Sequence, residues 1–133
     1  MKGFVENIEK LTTENGDFRR VLYTGANLQL VLMSLKPGEE IGEEVHDDRD
    51  QFFRFESGAG EVFIDGVRHE VEDDDAVIVP AGARHNVRNA GGQPLQFYTL
   101  YGPPEHRDRV VHKTKADSDR DHDNDHFDGK TTE

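Results

Sequence analysis

Short apolar runs recur between residues 18 and 102, and apolar and polar residues alternate within most of them. The runs are rich in β-branched and aromatic residues, and clusters of Gly, Pro and Asp separate them. Regularly spaced short strands of this kind predict an all-β sandwich or barrel. The six runs are FRRVLYTG (18–25), LQLVLMSL (28–35), QFFRFESG (51–58), EVFIDGVRHEV (61–71), AVIVP (76–80) and LQFYTLYG (95–102).

Turn signals within and between the runs support the strand prediction. Asp65-Gly66 divides one run into two strand-like halves, and this dipeptide favours a hairpin because both residues tolerate the positive φ of a tight loop. Pro37-Gly38, Pro80-Ala81-Gly82 and Gly91-Gly92 mark further turns. Only VENIEKLT (5–12) has the pattern of a short helical turn.

Large apolar residues on these runs are core candidates. Phe53, Phe55, Phe63, Val77 and Val79 are most simply core residues of the predicted barrel. Apolar and aromatic side chains also line ligand pockets, so Phe53, Phe55 and Phe63 are candidates for a pocket wall.

The C-terminal residues 113–133 differ in composition from the rest. Only Ala116 and Phe127 are apolar there. Such a segment cannot bury enough surface to offset the entropy lost on ordering, so we expect a single domain at 1–112 followed by a flexible or loosely docked acidic tail. Its alternating aspartates lack the turn Gly and final Glu of a calcium loop.

The charge of the chain excludes several partners. The formal net charge is −12, and repulsion from phosphate argues against nucleic acid and anionic membranes. The chain has no Cys, which excludes disulfides and thiolate metal sites. No run has the length of a transmembrane helix, and the N-terminus lacks the apolar core of a signal peptide. We therefore expect a cytoplasmic protein.

Four polar residues have the chemistry of a metal site. Glu44 and His46 are two residues apart, which places both side chains on one face of a strand. Gln51 begins the next inward row, and His85 follows the turn in VIVPAGAR. If these strands face each other across a small barrel, two imidazole nitrogens, a carboxylate oxygen and an amide oxygen converge. This mixture suits Mn, Fe, Ni or Zn.

The spacing of these residues is similar to two motifs of the cupin superfamily. The first family motif is Gly, five residues, His, one residue, His, three or four residues, Glu, six residues, Gly. Here Gly38, Glu44, His46, Gln51 and Gly58 keep every interval. Glu44 stands in place of the first His, and Gln51 stands in place of the Glu.

The second motif lies at residues 74–89. In the family it is Gly, five residues, Pro, one residue, Gly, two residues, His, three residues, Asn. Asp74, Pro80, Gly82, His85 and Asn89 keep these intervals, and only Asp74 departs in residue type.

The resemblance implies a double-stranded β-helix, or jelly-roll barrel, with Glu44, His46, Gln51 and His85 as metal ligands. Glu and Gln can both donate an oxygen to a metal, so the implied ligand set is altered rather than lost. Small cupins of this kind are often described as similar to mannose-6-phosphate isomerase, and cupins commonly form homodimers. Two interpretations stay open. One is a metal-dependent protein acting on a sugar- or acid-like substrate by Lewis-acid or dioxygen chemistry, and the other is a non-catalytic cupin that binds or senses a small ligand.

Other polar residues have simpler interpretations. His106 and His112 could reach the pocket mouth as acid or base, but exposed loop positions are the simpler expectation, as for His69. Arg is the usual bidentate partner of carboxylates and phosphates, so three arginines are candidates for binding an anionic substrate. They are Arg54, Arg84 and Arg88.

Overall fold

The computed structural model describes residues 1–133, which form ten strands and two short helices. In chain order the elements are α1 (Ile8–Glu14), β1 (Arg19–Thr24), β2 (Gln29–Leu35), β3 (Glu44–Val45), β4 (Asp50–Ser57), β5 (Gly60–Ile64), β6 (Val67–Val71), β7 (Ala76–Val79), β8 (Arg84–Arg88), β9 (Leu95–Gly102), β10 (Val111–His112) and α2 (Lys115–Arg120). Neither helix has the length and apolar composition needed to cross a membrane.

The strands form two antiparallel sheets that enclose one apolar core. The larger sheet has the spatial order β10-β1-β2-β9-β4-β7, and the smaller has the order β3-β8-β5-β6. Both sheets contribute to the core, with Phe53 and Phe97 from the larger and Val87 from the smaller. The prediction of an all-β barrel is confirmed. So is the N-terminal helix, which begins at Ile8 because the Asn7 side chain caps it.

Alternation along the central strands decides which side chains face the core. Four alternate residues of β9 are buried: Leu95, Phe97, Thr99 and Tyr101. β4 repeats the pattern with Gln51, Phe53 and Phe55, and Gln51 pairs with Tyr101 across the ladder. The inward rows therefore end in polar side chains at one end of the barrel.

Positive φ angles occur at predicted turns. Asp65 (φ 47°) and Gly66 (φ 82°) form the loop of the β5–β6 hairpin, as the sequence predicts. Asp74, which stands where the second motif has Gly, has φ 72°. Asp adopts this left-handed conformation more readily than most residues because its short side chain can hydrogen-bond locally. The departure from the motif therefore preserves the turn.

The C-terminal residues 113–133 lie against the barrel, while the domain boundary at residue 112 and the flexibility of the segment stay predictions. The backbone N–H groups of Phe127 and Thr132 donate to the carbonyl oxygens of Glu105 and Thr24, both at 2.9 Å. Polar contacts rather than apolar burial hold this segment in place. Apolar composition reflects apolar burial alone, so it carries no signal of packing through polar contacts.

Gly58, which follows β4, has no room for a side chain. Its φ is 97°, and a Cβ at this position would lie 2.4 Å from the carbonyl oxygen of Pro94. We predict that Gly58→Ala lowers the free energy of unfolding by about 3 kcal/mol or more, because a left-handed backbone penalty and a steric clash add together.

Gly66→Ala is the matched control, since Gly66 also has positive φ but no heavy atom near the added Cβ. We expect it to cost only the conformational penalty of about 1–2 kcal/mol. Urea unfolding of both variants measures the difference, and equal losses would contradict the steric explanation.

Candidate metal centre

Three strands bring the four predicted ligands together at one end of the barrel. Glu44 on β3 lies directly across the ladder from His85 on β8. His46 follows β3, and its carbonyl oxygen accepts a hydrogen bond from Gly82 N–H (2.9 Å) in the turn before β8. Gln51 comes from β4 in the opposite sheet. The site therefore lies between the two sheets.

His85 is oriented by a backbone carbonyl. Its Nδ1 lies 3.2 Å from the carbonyl oxygen of Ala83, which can only accept, so Nδ1 carries the proton. Burial lowers the pKa of His85 below its ordinary value, so the ring is neutral at pH 7 and Nε2 keeps its lone pair. That lone pair faces Gln51, whose Oε1 lies 3.2 Å from Nε2.

The side-chain amide of Gln51 is oriented by Thr99. The Nε2 group of Gln51 donates to Thr99 Oγ1 (2.9 Å), and Thr99 Oγ1 donates to the carbonyl oxygen of Phe52 (2.8 Å). This chain of hydrogen bonds turns the amide oxygen of Gln51 toward His85. Two acceptor atoms thus face each other without a proton to share, an arrangement that a cation would satisfy.

Glu44 and His46 form the second close pair. Glu44 Oε2 lies 2.9 Å from His46 Nε2, but the contact is poorly aligned, and Nε2 is buried with no hydrogen-bond partner. On the other side of the ring, His46 Nδ1 lies 3.6 Å from Glu105 Oε2. A carboxylate behind the ring is the usual way in which a metal-binding His is oriented.

The charges of this pair stabilise each other. Burial raises the pKa of Glu44, but the adjacent His46 imidazole together with Arg19 and His85 outweighs burial, and the pKa lies below its ordinary value. Burial likewise lowers the pKa of His46, but the carboxylates of Glu44 and Glu105 outweigh it, and the pKa lies above its ordinary value. Each group therefore favours the charged form of the other.

The spacing of the donor atoms fits a divalent cation. Glu44, His46 and His85 each offer one ligand atom within 4.8 Å of the other two, and Gln51 Oε1 adjoins His85. Donors about 2.1 Å from a shared metal lie roughly 3 Å from their neighbours. The 2.9 Å and 3.2 Å separations of the two pairs agree with this value. Nitrogen and oxygen donors together suit Mn, Fe, Ni or Zn.

A cavity of about 460 Å³, the site cavity, opens beside these residues. Glu44, His46, Glu105 and Arg19 lie in its wall. The C-terminal segment contributes five further lining residues, which are Ser118, Asp119, His122, Asp125 and His126. The segment expected to be a flexible tail thus forms one side of the site cavity.

None of the three Phe residues predicted to line the pocket lies in the wall of the site cavity. Phe53 and Phe55 are fully buried in the core, with ring centroids 6.4 Å apart. Phe53 meets the site only through the ring of His85, at a centroid distance of 6.3 Å. Phe63 and His85 line a separate hollow of about 290 Å³. Phe53 and Phe55 thus belong to the core, Phe63 lines a hollow next to His85, and contact of any of the three with a ligand stays a prediction.

Two His residues expected at exposed loop positions are buried. His106 is 7% exposed, and its Nδ1 donates to Asp125 Oδ2 (2.7 Å), which leaves Nε2 to accept from the Tyr101 hydroxyl (3.3 Å). His112 is 4% exposed, and its Nε2 donates to Asp121 Oδ2 (2.9 Å). The alternating aspartates of the C-terminal segment were the only sequence signal of these pairs.

The arginine in the site cavity is Arg19, which sequence reasoning missed. Arg54 and Arg84 form surface ion pairs, and Arg88 is exposed. Arg19 occupies an alternating position in a strand-like run, and nothing in its local sequence distinguishes it from a solvated residue.

Comparison with known proteins agrees with the observed fold. The family described as the cupin domain matches residues 31–101, more than half of the chain. This chain belongs to the cupin family. The matched residues of this cupin include all four candidate ligands.

The relatives of this cupin extend the match beyond the motifs. YrkC of Bacillus subtilis (strain 168) is 46% identical over 123 residues, which cover 88% of this chain and 66% of YrkC. Protein L612 of Acanthamoeba polyphaga mimivirus is 37% identical over 108 residues, which cover 77% of this chain and 67% of L612. The chain thus spans about two thirds of the length of these curated relatives.

A solved structure is similar over nearly the whole chain. The crystal structure of BH2720 from Bacillus halodurans matches this cupin with a TM-score of 0.88 and 46% sequence identity. The match covers 90% of this chain and 95% of BH2720.

His106 makes the stability of this cupin depend on pH. Burial lowers the pKa of His106, reinforced by the charge of Arg19 and opposed by Asp125 and Glu105, while the Tyr101 hydroxyl faces Nε2. Because the folded pKa lies below the unfolded one, the unfolded chain binds the proton first. The stabilisation is complete above about pH 6.5 and is lost as pH falls toward the folded pKa.

We predict that the free energy of unfolding falls between pH 7 and pH 5, and that His106→Gln reduces this fall by up to about 2 kcal/mol. Urea unfolding at both pH values measures the change. His69→Gln, at an exposed position on β6, controls for loss of an imidazole. An unchanged pH dependence in His106→Gln would contradict the prediction.

Proposed function

We propose that this cupin binds one divalent metal ion and acts on a small oxygenated substrate, sugar- or acid-like, by Lewis-acid or dioxygen chemistry. One observation carries the proposal: two buried acceptor atoms, His85 Nε2 and Gln51 Oε1, face each other without a proton to share, next to the Glu44–His46 pair. His46 Nε2 is buried without a hydrogen bond. Buried polar atoms are costly unless an ion or water satisfies them.

The residues that would hold Mn, Fe, Ni or Zn are Glu44, His46, Gln51 and His85. The bound metal would supply Lewis-acid or dioxygen chemistry. The surrounding residues fix the ligands, since Ala83 and Thr99 set the orientation of His85 and Gln51. Phe53, packed beside His85, keeps water from the inner side of the site.

Tyr101 is placed to hold a proton next to the site. Its ring centroid lies 5.9 Å from that of His46, and burial raises its pKa, so the hydroxyl stays protonated. The hydroxyl donates to His106 Nε2, and Asp125 fixes the tautomer of His106 by accepting from Nδ1. These three residues form a hydrogen-bonded chain from the barrel to the C-terminal segment.

Removal of the candidate imidazoles tests metal binding. We predict about one metal per chain in the native protein, and a loss of metal affinity of at least about tenfold in His46→Ala and in His85→Ala, because each removes a direct nitrogen ligand. Elemental analysis after purification and after reconstitution measures the content. His69→Ala is the matched control at an exposed position. Native protein without stoichiometric metal in either preparation would overturn the proposal.

A second candidate is a non-catalytic cupin that binds or senses a small ligand. The Glu44–His46 pair favours this candidate, because each group stabilises the charge of the other and so balances the site without a cation. An organic ligand alone would then occupy the site cavity.

Thermal unfolding with and without a chelator separates the two candidates. For the metal-dependent protein we predict that EDTA lowers Tm and abolishes the Tm increase produced by sugars or small hydroxy acids. For a sensor, the organic ligand would stabilise by about 2.7 kcal/mol at a hundredfold excess over Kd, equally with and without EDTA. A ligand-induced Tm increase that survives EDTA would therefore favour the second candidate.

The cytoplasmic location, the homodimer and the small-molecule partner stay predictions. The net charge of −12 supports the absence of nucleic acid and anionic membranes among its partners.

A further inference from the structure

Arg19 is a buried cation in the wall of the site cavity. It is the first residue of β1 and only 6% exposed. No carboxylate oxygen lies within ion-pair distance of its guanidinium, whereas ten other Lys and Arg side chains of the protein form ion pairs. A buried charge without a close partner is costly and calls for a binding explanation.

The hydrogen bonds of Arg19 all use one nitrogen. Nη1 donates to Ser118 Oγ (2.6 Å) and to His112 Nδ1 (3.3 Å), and the guanidinium carbon lies 5.3 Å from the centroid of the Phe18 ring. His112 can accept because its Nε2 proton goes to Asp121. Nε of Arg19 is buried with no partner, and Nη2 donates to no protein atom.

The two nitrogens of Arg19 without a protein partner, Nε and Nη2, form the edge of the guanidinium that can bind an anion. Nε and Nη2 lie along one edge of the planar guanidinium, and their two parallel N–H groups match two oxygens of a carboxylate or phosphate. The C-terminal segment and β10 hold Nη1 through Ser118 and His112, so this edge is left unpaired.

The acidic residues of the cavity wall do not serve as close partners of Arg19, because each contacts a different cation or imidazole. These pairs are Glu43 with Arg84, Glu44 with His46, Glu105 with Arg49, Asp119 with Lys115 and Asp125 with His106. Arg19 is not in contact with Glu44 or Asp125, but its charge helps the closer partners His46 and His106 to lower the pKa of these two carboxyls against the effect of burial.

We propose that Arg19 is an anion-binding subsite of the site cavity, which binds the carboxylate or phosphate group of a small molecule through Nε and Nη2. The inference deepens the proposed function by defining the substrate as an anion. It rests on the proposed function only in one respect: the metal would bind the other end of the same small molecule. Anion binding itself requires Arg19 and the C-terminal segment, not the metal.

Calorimetric titration of metal-free protein tests the subsite. The probes are succinate, inorganic phosphate and uncharged erythritol, at constant ionic strength. We expect saturable binding of at least one of the two anions and none of erythritol, and the better anion identifies a carboxylate or a phosphate ligand. Arg19→Met should weaken that anion by about tenfold or more, because two charge-assisted hydrogen bonds are lost.

Two further variants sharpen this test. Arg19→Lys keeps the charge but not the two-pronged edge, so we expect binding weaker than in the native protein. Arg20→Met is the control, since the adjacent Arg20 pairs with Asp17 on the surface, and its binding should equal that of the native protein. Absence of saturable anion binding by the native protein, or equal binding by Arg19→Met, would overturn the proposal.

The native protein offers a readout that does not depend on any variant folding. The Nε–H resonance of Arg19 in an NMR spectrum should shift on addition of the bound anion, and an unshifted resonance at saturation would overturn the proposal. The double variant His46→Ala/His85→Ala separates the two claims. If the double variant still binds the anion, the subsite is upheld even if the metal proposal fails. If the double variant folds but no longer binds the anion, a subsite independent of the metal ligands is refuted.

Discussion

The packing of two antiparallel sheets around an aromatic layer is the constraint on which the rest of this cupin depends. Phe53, Phe55 and Phe97 have no exposed surface and contact one another through their rings. Truncating a side chain of this kind to Ala typically costs about 3–5 kcal/mol. Because strand residues alternate between faces, fixing these rings inward also fixes the inward direction of the residues two and four positions away.

This constraint explains why the polar site lies where it does. Gln51 is two residues from Phe53 on β4, and Tyr101 is four residues from Phe97 on β9, so both extend the aromatic rows toward the same end of the barrel. His85 extends the row of Val87 on β8 in the opposite sheet. The aromatic layer forms the rigid inner boundary of the site, and the last inward residue of each row places a polar side chain against it. A site built in this way has its geometry set by the core rather than by loops.

The C-terminal segment completes the site cavity through polar contacts rather than apolar packing. It buries almost no apolar surface, yet Asp125 and Asp121 bind His106 and His112, and Ser118 binds Arg19. Such contacts between buried polar groups are effective only when each partner is satisfied. The side chain of Arg19 is the exception, and its unpaired edge lies in the wall of the cavity that this segment closes. The acidic composition of the segment thus reflects its partners on the barrel.

The sequence by itself determined the all-β fold, the hairpin at Asp65-Gly66 and the convergence of Glu44, His46, Gln51 and His85. The alternation of apolar and polar residues and the turn signals depend on neighbouring residues. The intervals within the two motifs fix which residues of the strands lie opposite each other. Only the tertiary structure decided which groups surround those four. Arg19 meets His112 and Ser118 across 93 and 99 residues of sequence, and Phe53 and Phe55 proved to be core rather than cavity wall. Contacts of that span depend on the whole path of the chain, and no local pattern of apolar and polar residues encodes them.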